Sequence, residues 1–328
     1  MGLFKRRERT GGADGPAHRL YFATDIHGAE VLWRKFLSAG AAYDARTLIM
    51  GGDVTGKVVI PIVATDEGWR ADLYGDVQTA TGEDQLKALE DRIRNSGLYP
   101  HRMTDEQVAE VGRMDEQRRE AWFAEVMLVT FRRWLALAEE RLEDGVRCFM
   151  MPGNDDPAGI DGAIEEATRV EACDDRIVEF GDYRMISLGY ANRTPFDSPR
   201  ELEEDEIYAR VSRLADQVED RDRLILNLHV PPHDSQLDIA PALDADLNVV
   251  MSGSEPKLVP VGSTAVRELI ETYQPLLSLH GHVHESPGAT KIGRTLAINP
   301  GSDYHTGRIA GCLVTLAPDR VRHQFVTG

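Results

Sequence analysis

The sequence predicts an α/β protein built on a largely parallel core sheet, and three stretches near the start carry that expectation. "RLYFATD" (19–25) is a short apolar run rich in strand formers. "HGAEVLWRKFLSAGAAY" (27–43) spaces its apolar residues as one face of a helix, and "RTLIMGGD" (46–53) is another short apolar run, closed by glycines and an acid. Strand, helix and strand in that order point to parallel pairing through a crossover. Ligands of such sheets gather beyond the carboxyl ends of the strands.

After residue 57 the texture changes. "KVVIPIVAT" and "GWRADLYGDVQTA" suit a β-hairpin, 83–96 reads as a charged amphipathic helix, and from Thr104, able to cap with Gln107, one long helical pattern runs to about Leu142. Residues 58–143 therefore read as a hairpin-and-helix insertion in one domain spanning 19–328, preceded by a flexible basic tail over 1–18. The core resumes at "VRCFMMPGND" (146–155). A helix near 160–171, strands near 176–190, an acidic helix near 200–220 and the apolar strand "LILNLHV" (224–230) come next. A proline-rich loop (231–262) leads to a short helix capped by Ser263. The last third, "LLSLHGHVH" (276–284), "ATKIGRTLAINPGS" (289–302) and "RIAGCLVTLAP" (308–318), reads as strands bounded by glycines.

With 42% hydrophobic and 28% charged residues, the 328-residue chain has the composition of a globular protein. Its 37 basic against 55 acidic residues give a formal charge of −18, which repels polyanions at long range. Duplex nucleic acid and acidic membranes are thereby disfavoured as partners, while a small anion remains compatible if bound metal ions invert the local field. Cys148, Cys173 and Cys312 are too few and scattered for a disulfide framework or a thiolate zinc cluster, and a reducing cytoplasmic setting suits them. The basic start lacks the apolar stretch of a signal peptide, no run of about 20 apolar residues suggests a membrane span, and Arg6 stands where a myristoylation motif needs Ser or Thr.

The residues just past each apolar run share a chemistry: "DIH" at 25–27, "GGD" at 51–53, "GND" at 153–155, "LHVPPH" at 228–233 and "GHVH" at 281–284. A single Gly-Asp pair is ordinarily a turn, and a single His after a strand is ordinarily a loop or core residue. Five such sites are a different matter. If the strands are parallel neighbours, Asp25, His27, Asp53, Asn154, His229, His282 and His284 line one edge of the sheet. Oxygen and imidazole donors without thiolate suit divalent manganese, iron or zinc. Seven side chains exceed the needs of one ion, so two metals about 3.5–4 Å apart are expected, with one carboxylate bridging.

In order and spacing these blocks resemble the calcineurin-like metallophosphoesterase superfamily, whose pattern is D-x-H, G-D, G-N-H-[DE], a lone His and G-H-x-H. The resemblance runs from Asp25 to His284 apart from the 58–143 insertion. It implies a two-sheet α/β sandwich flanked by helices. It further implies that Asp25, His27 and His284 hold one metal, that Asn154, His229 and His282 hold the other, and that Asp53 bridges them. Two divalent ions, manganese favoured, would polarise a phosphoryl group and acidify a bridging water so that hydroxide attacks in line. "GATKIGRTLAINPGS" is similar to the stretch after G-H-x-H in small bacterial members related to cyclic-nucleotide phosphodiesterases.

One block departs from the pattern. Asp155 replaces the His of G-N-H-[DE], and "GDVTG" has Gly56 where a G-D-x-x-D block would carry the acid that pairs with that His. An ionised Asp155 adds negative charge beside the substrate and repels a monoester dianion more than a diester monoanion. The expected enzyme is therefore a phosphodiesterase with weak monoesterase activity, acting on a small phosphodiester or nucleotide; a phosphomonoesterase and a non-catalytic interaction module on the same fold are the alternatives. The lost general acid is replaced by Asp155 itself, if it is held protonated, or by His233, which reads equally well as an exposed loop histidine. His305 is a weaker candidate and His280 reads as structural. "GGDVTGKV" nearly spells a P-loop, but Val58 replaces the magnesium-binding hydroxyl and a β-branched run comes where a helix must start. Residues 244–255 approach an EF-hand loop but carry Val249 at its glycine position. The insertion suits either a lid over the cleft or a homo-oligomer contact.

Overall fold

The structure is a computed structural model that describes residues 17–317 and 320–328; the expected tail over 1–18 therefore lies almost wholly outside the described residues. Two six-stranded mixed sheets form a sandwich. In the first, His18–Ala23, Thr47–Met50, Arg147–Met150 and Val170–Ala172 run parallel in that spatial order, and Ala310–Ala317 and Arg320–Thr327 extend the His18–Ala23 side antiparallel. In the other, Tyr183–Leu188, Leu224–Leu228, Leu277–Leu279 and Thr295–Asn299 are parallel, with antiparallel strands at both edges. The largely parallel core expected from sequence is what the centres show; the antiparallel strands stand at one side of the first sheet and at both edges of the other, where short hairpins need no crossover.

Each central strand reads as a continuous apolar run because both of its faces are covered. Leu20, Phe22, Ile49 and Phe149 of one sheet meet Phe180, Met185, Ile225, Leu277 and Ile298 of the other in a fully buried layer. The opposite face of the first sheet packs on helix Glu30–Tyr43 and helix Glu116–Arg141 through Trp33, Phe36, Phe131 and Trp134. Helices Glu204–Ala215 and Thr264–Tyr273 cover the outer face of the other sheet. Trp33 Nε1 donates to the Trp134 carbonyl at 2.9 Å, and Arg34, Arg133 and Trp134 all donate to the Glu30 carboxylate, which locks helices Glu30–Tyr43 and Glu116–Arg141 together.

Thr47–Met50 and Arg147–Met150 pair directly, so the chain between them leaves the sandwich and returns. Residues 59–141 build a separate four-stranded sheet and three helices. The expected two-stranded hairpin is a three-stranded meander, Val59–Thr65, Gly68–Leu73 and Asp76–Ala80, joined by Tyr99–Met103 parallel to its first strand. The expected single helix from Thr104 is two. Thr104 and Gln107 do form a reciprocal capping box, but the helix ends at Arg113, Met114 is extended, and Asp115 caps the next helix by accepting from the Arg118 N–H. The helix expected over 160–171 stops at Glu166, since Val170–Ala172 is drawn into the sheet. Ser263 caps its helix as expected.

Phe149 fills the layer between the sheets, so Phe149→Ala should cost about 3–5 kcal/mol in a urea titration. A loss under about 1 kcal/mol would mean that the two sheets do not share a rigid core.

Candidate metal centre

Asp25 and His27 come just after the first strand, Asp53 after Thr47–Met50 and Asn154 after Arg147–Met150; all three strands belong to one sheet. His229 lies past Leu224–Leu228, and His282 and His284 past Leu277–Leu279, in the other. Stacking the sheets brings these carboxyl-terminal loops together. Asp25, His27, Asp53 and His282 have φ of 54, 39, 48 and 66°. Side chains rarely adopt this left-handed region, and it persists only where surroundings over-determine it. Here the loops interlock: the N–H groups of Asp25, His27 and Gly28 donate to the carbonyls of Gly52, Asp53 and Val54 at 2.9, 3.0 and 2.9 Å. Glycine is required where loop meets carboxylate, since a Cβ on Gly153 would stand 2.2 Å from Asp53 Oδ1 and one on Gly281 2.3 Å from Asp25 Oδ2.

Asp156 fastens the loop of Asn154 to that of Asp53. Its buried carboxylate accepts from the N–H groups of Val54 (3.0 Å), Thr55 (2.8 Å) and Gly153 (2.8 Å) and from the Thr55 hydroxyl (2.6 Å). Burial and the Asp53 carboxylate push its pKa up to about 6 against those donors.

The donor atoms fall into two groups. Around Asp25, Oδ1 lies 3.2 Å from His284 Nε2, which is 3.1 Å from His27 Nε2. Around Asn154, Oδ1 lies 3.0 Å from His229 Nε2 and 2.7 Å from His282 Nδ1. Asp53 Oδ2 stands between the groups, 3.4 Å from His229 Nε2 and 3.7 Å from His27 Nε2. Donors each about 2.1 Å from one cation lie roughly 3.0–3.4 Å apart, so these spacings fit divalent ions. The His229 Nδ1–H donates to the Gly51 carbonyl at 2.8 Å, which turns Nε2 inward. His27 Nδ1 is buried with no hydrogen-bond partner among the described residues, and the ring makes its polar contacts through Nε2.

Charge gives the same answer. Asp25 and Asp53 are 1% and 2% exposed, and among the described residues their only ion-pair partners are imidazoles. Burial raises the pKa of Asp25, but His229 and His284 outweigh it and bring it to about 2; Asp53 is likewise held well below the carboxylate range. Burial opposes a charge on His229, yet Asp53 and Asp25 lift its pKa to about 10. Burial and the neighbouring His229 lower His282 to about 4.

The other residues expected at the site lie at or beyond its rim. Asp155 sits at the rim, its N–H donating to Asp53 Oδ1 at 2.9 Å, and its carboxylate is within 4.8 Å of donor atoms of His27 and Asp53. It is not the bare negative charge expected from sequence: the Lys57 ammonium contacts Oδ2, and the Ser198 hydroxyl donates to Oδ1 at 3.0 Å. Burial alone would lower the Lys57 pKa, but its bond to Asp155 raises it. His233 has its polar contacts elsewhere, with Nδ1 3.8 Å from Asp238 and its N–H on the Ser263 carbonyl. His280 is fully buried and bonded to Ser278 and to the carbonyls of Leu228 and Val230. His305 is exposed and packs on Tyr304. Asp244 accepts from the N–H groups of Asp246 and Asn248 in an exposed turn, in keeping with a solvated loop.

Sequence reasoning missed Tyr304, whose ring lies 4.7 Å from that of His27 and 6.0 Å from that of His284. It also missed Asn299, whose amide donates to the Val283 carbonyl at 2.9 Å and so holds the loop between His282 and His284. Neither carries a local signal beyond its place near a strand end.

Fold and site together define an α/β sandwich with a carboxylate-imidazole cluster, suited to divalent cations, at its strand ends. No family model matches the chain. An uncharacterized protein of Methanocaldococcus jannaschii, MJ1162, is 30% identical over 188 residues, which span 54% of this chain and 78% of that protein. The chain belongs to the same family as MJ1162. A solved crystal structure shares the fold, with a TM-score of 0.55 and 17% identity over 94% of this chain and 98% of its own. TT1561 of Thermus thermophilus aligns over 94% of this chain and 98% of its own, with a TM-score of 0.48 and 13% identity. An archaeal phosphodiesterase aligns over 94% and 99%, with a TM-score of 0.38 and 10% identity. No helix among the described residues is long and apolar enough to cross a membrane.

Asp156→Ala strands three buried N–H donors, so it should cost about 3 kcal/mol or more, read as a lowered urea midpoint. An unchanged midpoint would show that Asp156 does not fasten the loops.

Proposed function

We propose that this chain is a dinuclear metal-dependent phosphoester hydrolase of the calcineurin-like metallophosphoesterase type, acting on small phosphodiesters. The observation that carries the reading is the pair of fully buried carboxylates, Asp25 and Asp53, among four imidazoles and an amide with donor atoms at metal-ligand spacing. Asp25, His27 and His284 would hold one cation, Asn154, His229 and His282 the other, and Asp53 both. Bound there, two divalent cations, manganese favoured over iron or zinc, supply Lewis-acid polarisation of a phosphoryl group and a water acidic enough to attack near neutral pH.

The chain's own groups set the conditions for this. Asn154 contributes an oxygen without charge, so it does not reduce the pull on an anionic substrate. The Gly51 carbonyl fixes the His229 ring, and burial of Asp25, Asp53 and His229 excludes bulk water and strengthens every charge interaction. At the rim, Lys57 and Asp155 form a pair of no net charge, so no uncompensated cation stands there. A diester monoanion needs less compensation there than a monoester dianion, which supports the phosphodiesterase over the monoesterase.

With manganese, the protein should hydrolyse bis-p-nitrophenyl phosphate, and chelation should abolish turnover. Asp53→Asn and His229→Ala should each lower kcat/KM by more than about 100-fold with unchanged circular dichroism; full activity without metal would refute the reading. Removing either member of the rim pair should shift specificity in opposite directions. Asp155→Asn should raise the ratio of monoester to diester turnover by roughly fivefold, and Lys57→Gln should lower it by a similar factor, the effect of one unit charge at about 4 Å in water-like screening. Equal ratios in both variants would remove the rim pair from the account.

A further inference from the structure

Against the rim of the cluster lies a cavity of about 890 Å³. Gly56, Lys57 and Asp155 form the wall it shares with the candidate metal centre, and the 59–141 segment supplies most of the rest. Met103 ends a strand of that segment, Val108 and Val111 lie on helix Asp105–Arg113, and Trp122 and Phe123 lie on helix Glu116–Arg141. Val108, Val111, Trp122 and Phe123 are only half-buried, so apolar surface faces the space. Reading the edge of a nucleobase takes several buried hydrogen-bonding groups. Here the other polar side chains of the lining, Gln117, Arg119 and Glu120, are exposed. The volume lies within the range that encloses a drug-sized ligand.

We infer that this cavity is a subsite for an apolar chain carried by the substrate, so that the substrate class is a phosphodiester with an alkyl or acyl substituent. The inference rests on the phosphodiesterase reading for its chemistry and on the cavity for its specificity. The phosphoryl group would lie at the cluster and the chain would pass Lys57 into the space lined by the two helices. Each methylene moved from water into such a wall favours binding, and the gain stops when the space is filled. The break at Met114 and Asp115, which sequence read as continuous helix, sets the two lining helices as separate walls.

The manganese-loaded full chain should be assayed on methyl, butyl and octyl p-nitrophenyl phosphate diesters. kcat/KM should rise roughly fourfold per added methylene over the first few carbons, mainly through KM, and Val111→Asp should flatten that slope. Binding is read separately by titrating octylphosphonate: tryptophan fluorescence should shift saturably, methylphosphonate should leave it unchanged, and Trp122→Phe should abolish the shift. A flat chain-length series together with a silent octylphosphonate titration would overturn the subsite. If no diester is cleaved but octylphosphonate still binds through Trp122, the subsite stands and the phosphodiesterase reading falls. If the series is flat and Val111→Asp instead dissociates an oligomer, the face belongs to another copy of the chain and the inference is overturned.

Discussion

Two carboxylates out of reach of water must find positive charge, and among the described residues imidazoles alone stand within ion-pair distance of them. Asp25 and Asp53 are buried at the ends of neighbouring parallel strands, with no lysine or arginine in ion-pair distance among the described residues. Isolated buried charge is costly enough that a fold keeps it only when it is paired or coordinates a metal. The features around the site answer this demand. Loops accept left-handed backbone at four candidate ligand positions, glycines remove side chains from the contact points, and the Gly51 carbonyl commits one nitrogen of His229 so that the other faces Asp53 and Asn154.

Much of this was legible in the sequence because short parallel strands announce themselves as apolar runs and deliver their next residues to one edge. Asp25, Asp53, Asn154, His229 and His282 each sit a few positions past such a run, and the structure gathers them. What escaped were partnerships that local pattern does not encode. The Lys57–Asp155 contact joins a residue read only as a failed P-loop lysine to one read as an unpaired acid. Tyr304 reaches His27 from beyond the last motif. Asp156 carries the hydrogen bonds that tie two loops together, mostly to backbone N–H groups, which no side-chain pattern encodes.

Errors in the elements have similar physical causes. The strand Arg320–Thr327 is mostly exposed and polar, so it lacks the apolar run that marks core strands; its pairing to Ala310–Ala317 comes from the hairpin register. The helix break at Asp115 lies between two stretches with good helical periodicity, and Asp115 caps the later one, a role that an acid inside a charged helix conceals. The 59–141 segment has its own small core around Ile62, Leu86 and Ile93. Its Tyr99 hydroxyl accepts the Gly56 N–H at 2.7 Å, a long-range bond that joins the segment to the loop carrying Asp53 and Lys57.

The central claim is that these seven side chains form one site for two cations, and counting the metal tests it most directly. Equilibrium dialysis against manganese and then elemental analysis should give two ions per chain for the native protein and fewer for Asp53→Asn, since the proposed role of that carboxylate is to serve both positions. A native protein that takes up none, or an Asp53→Asn variant that retains both, would contradict the account.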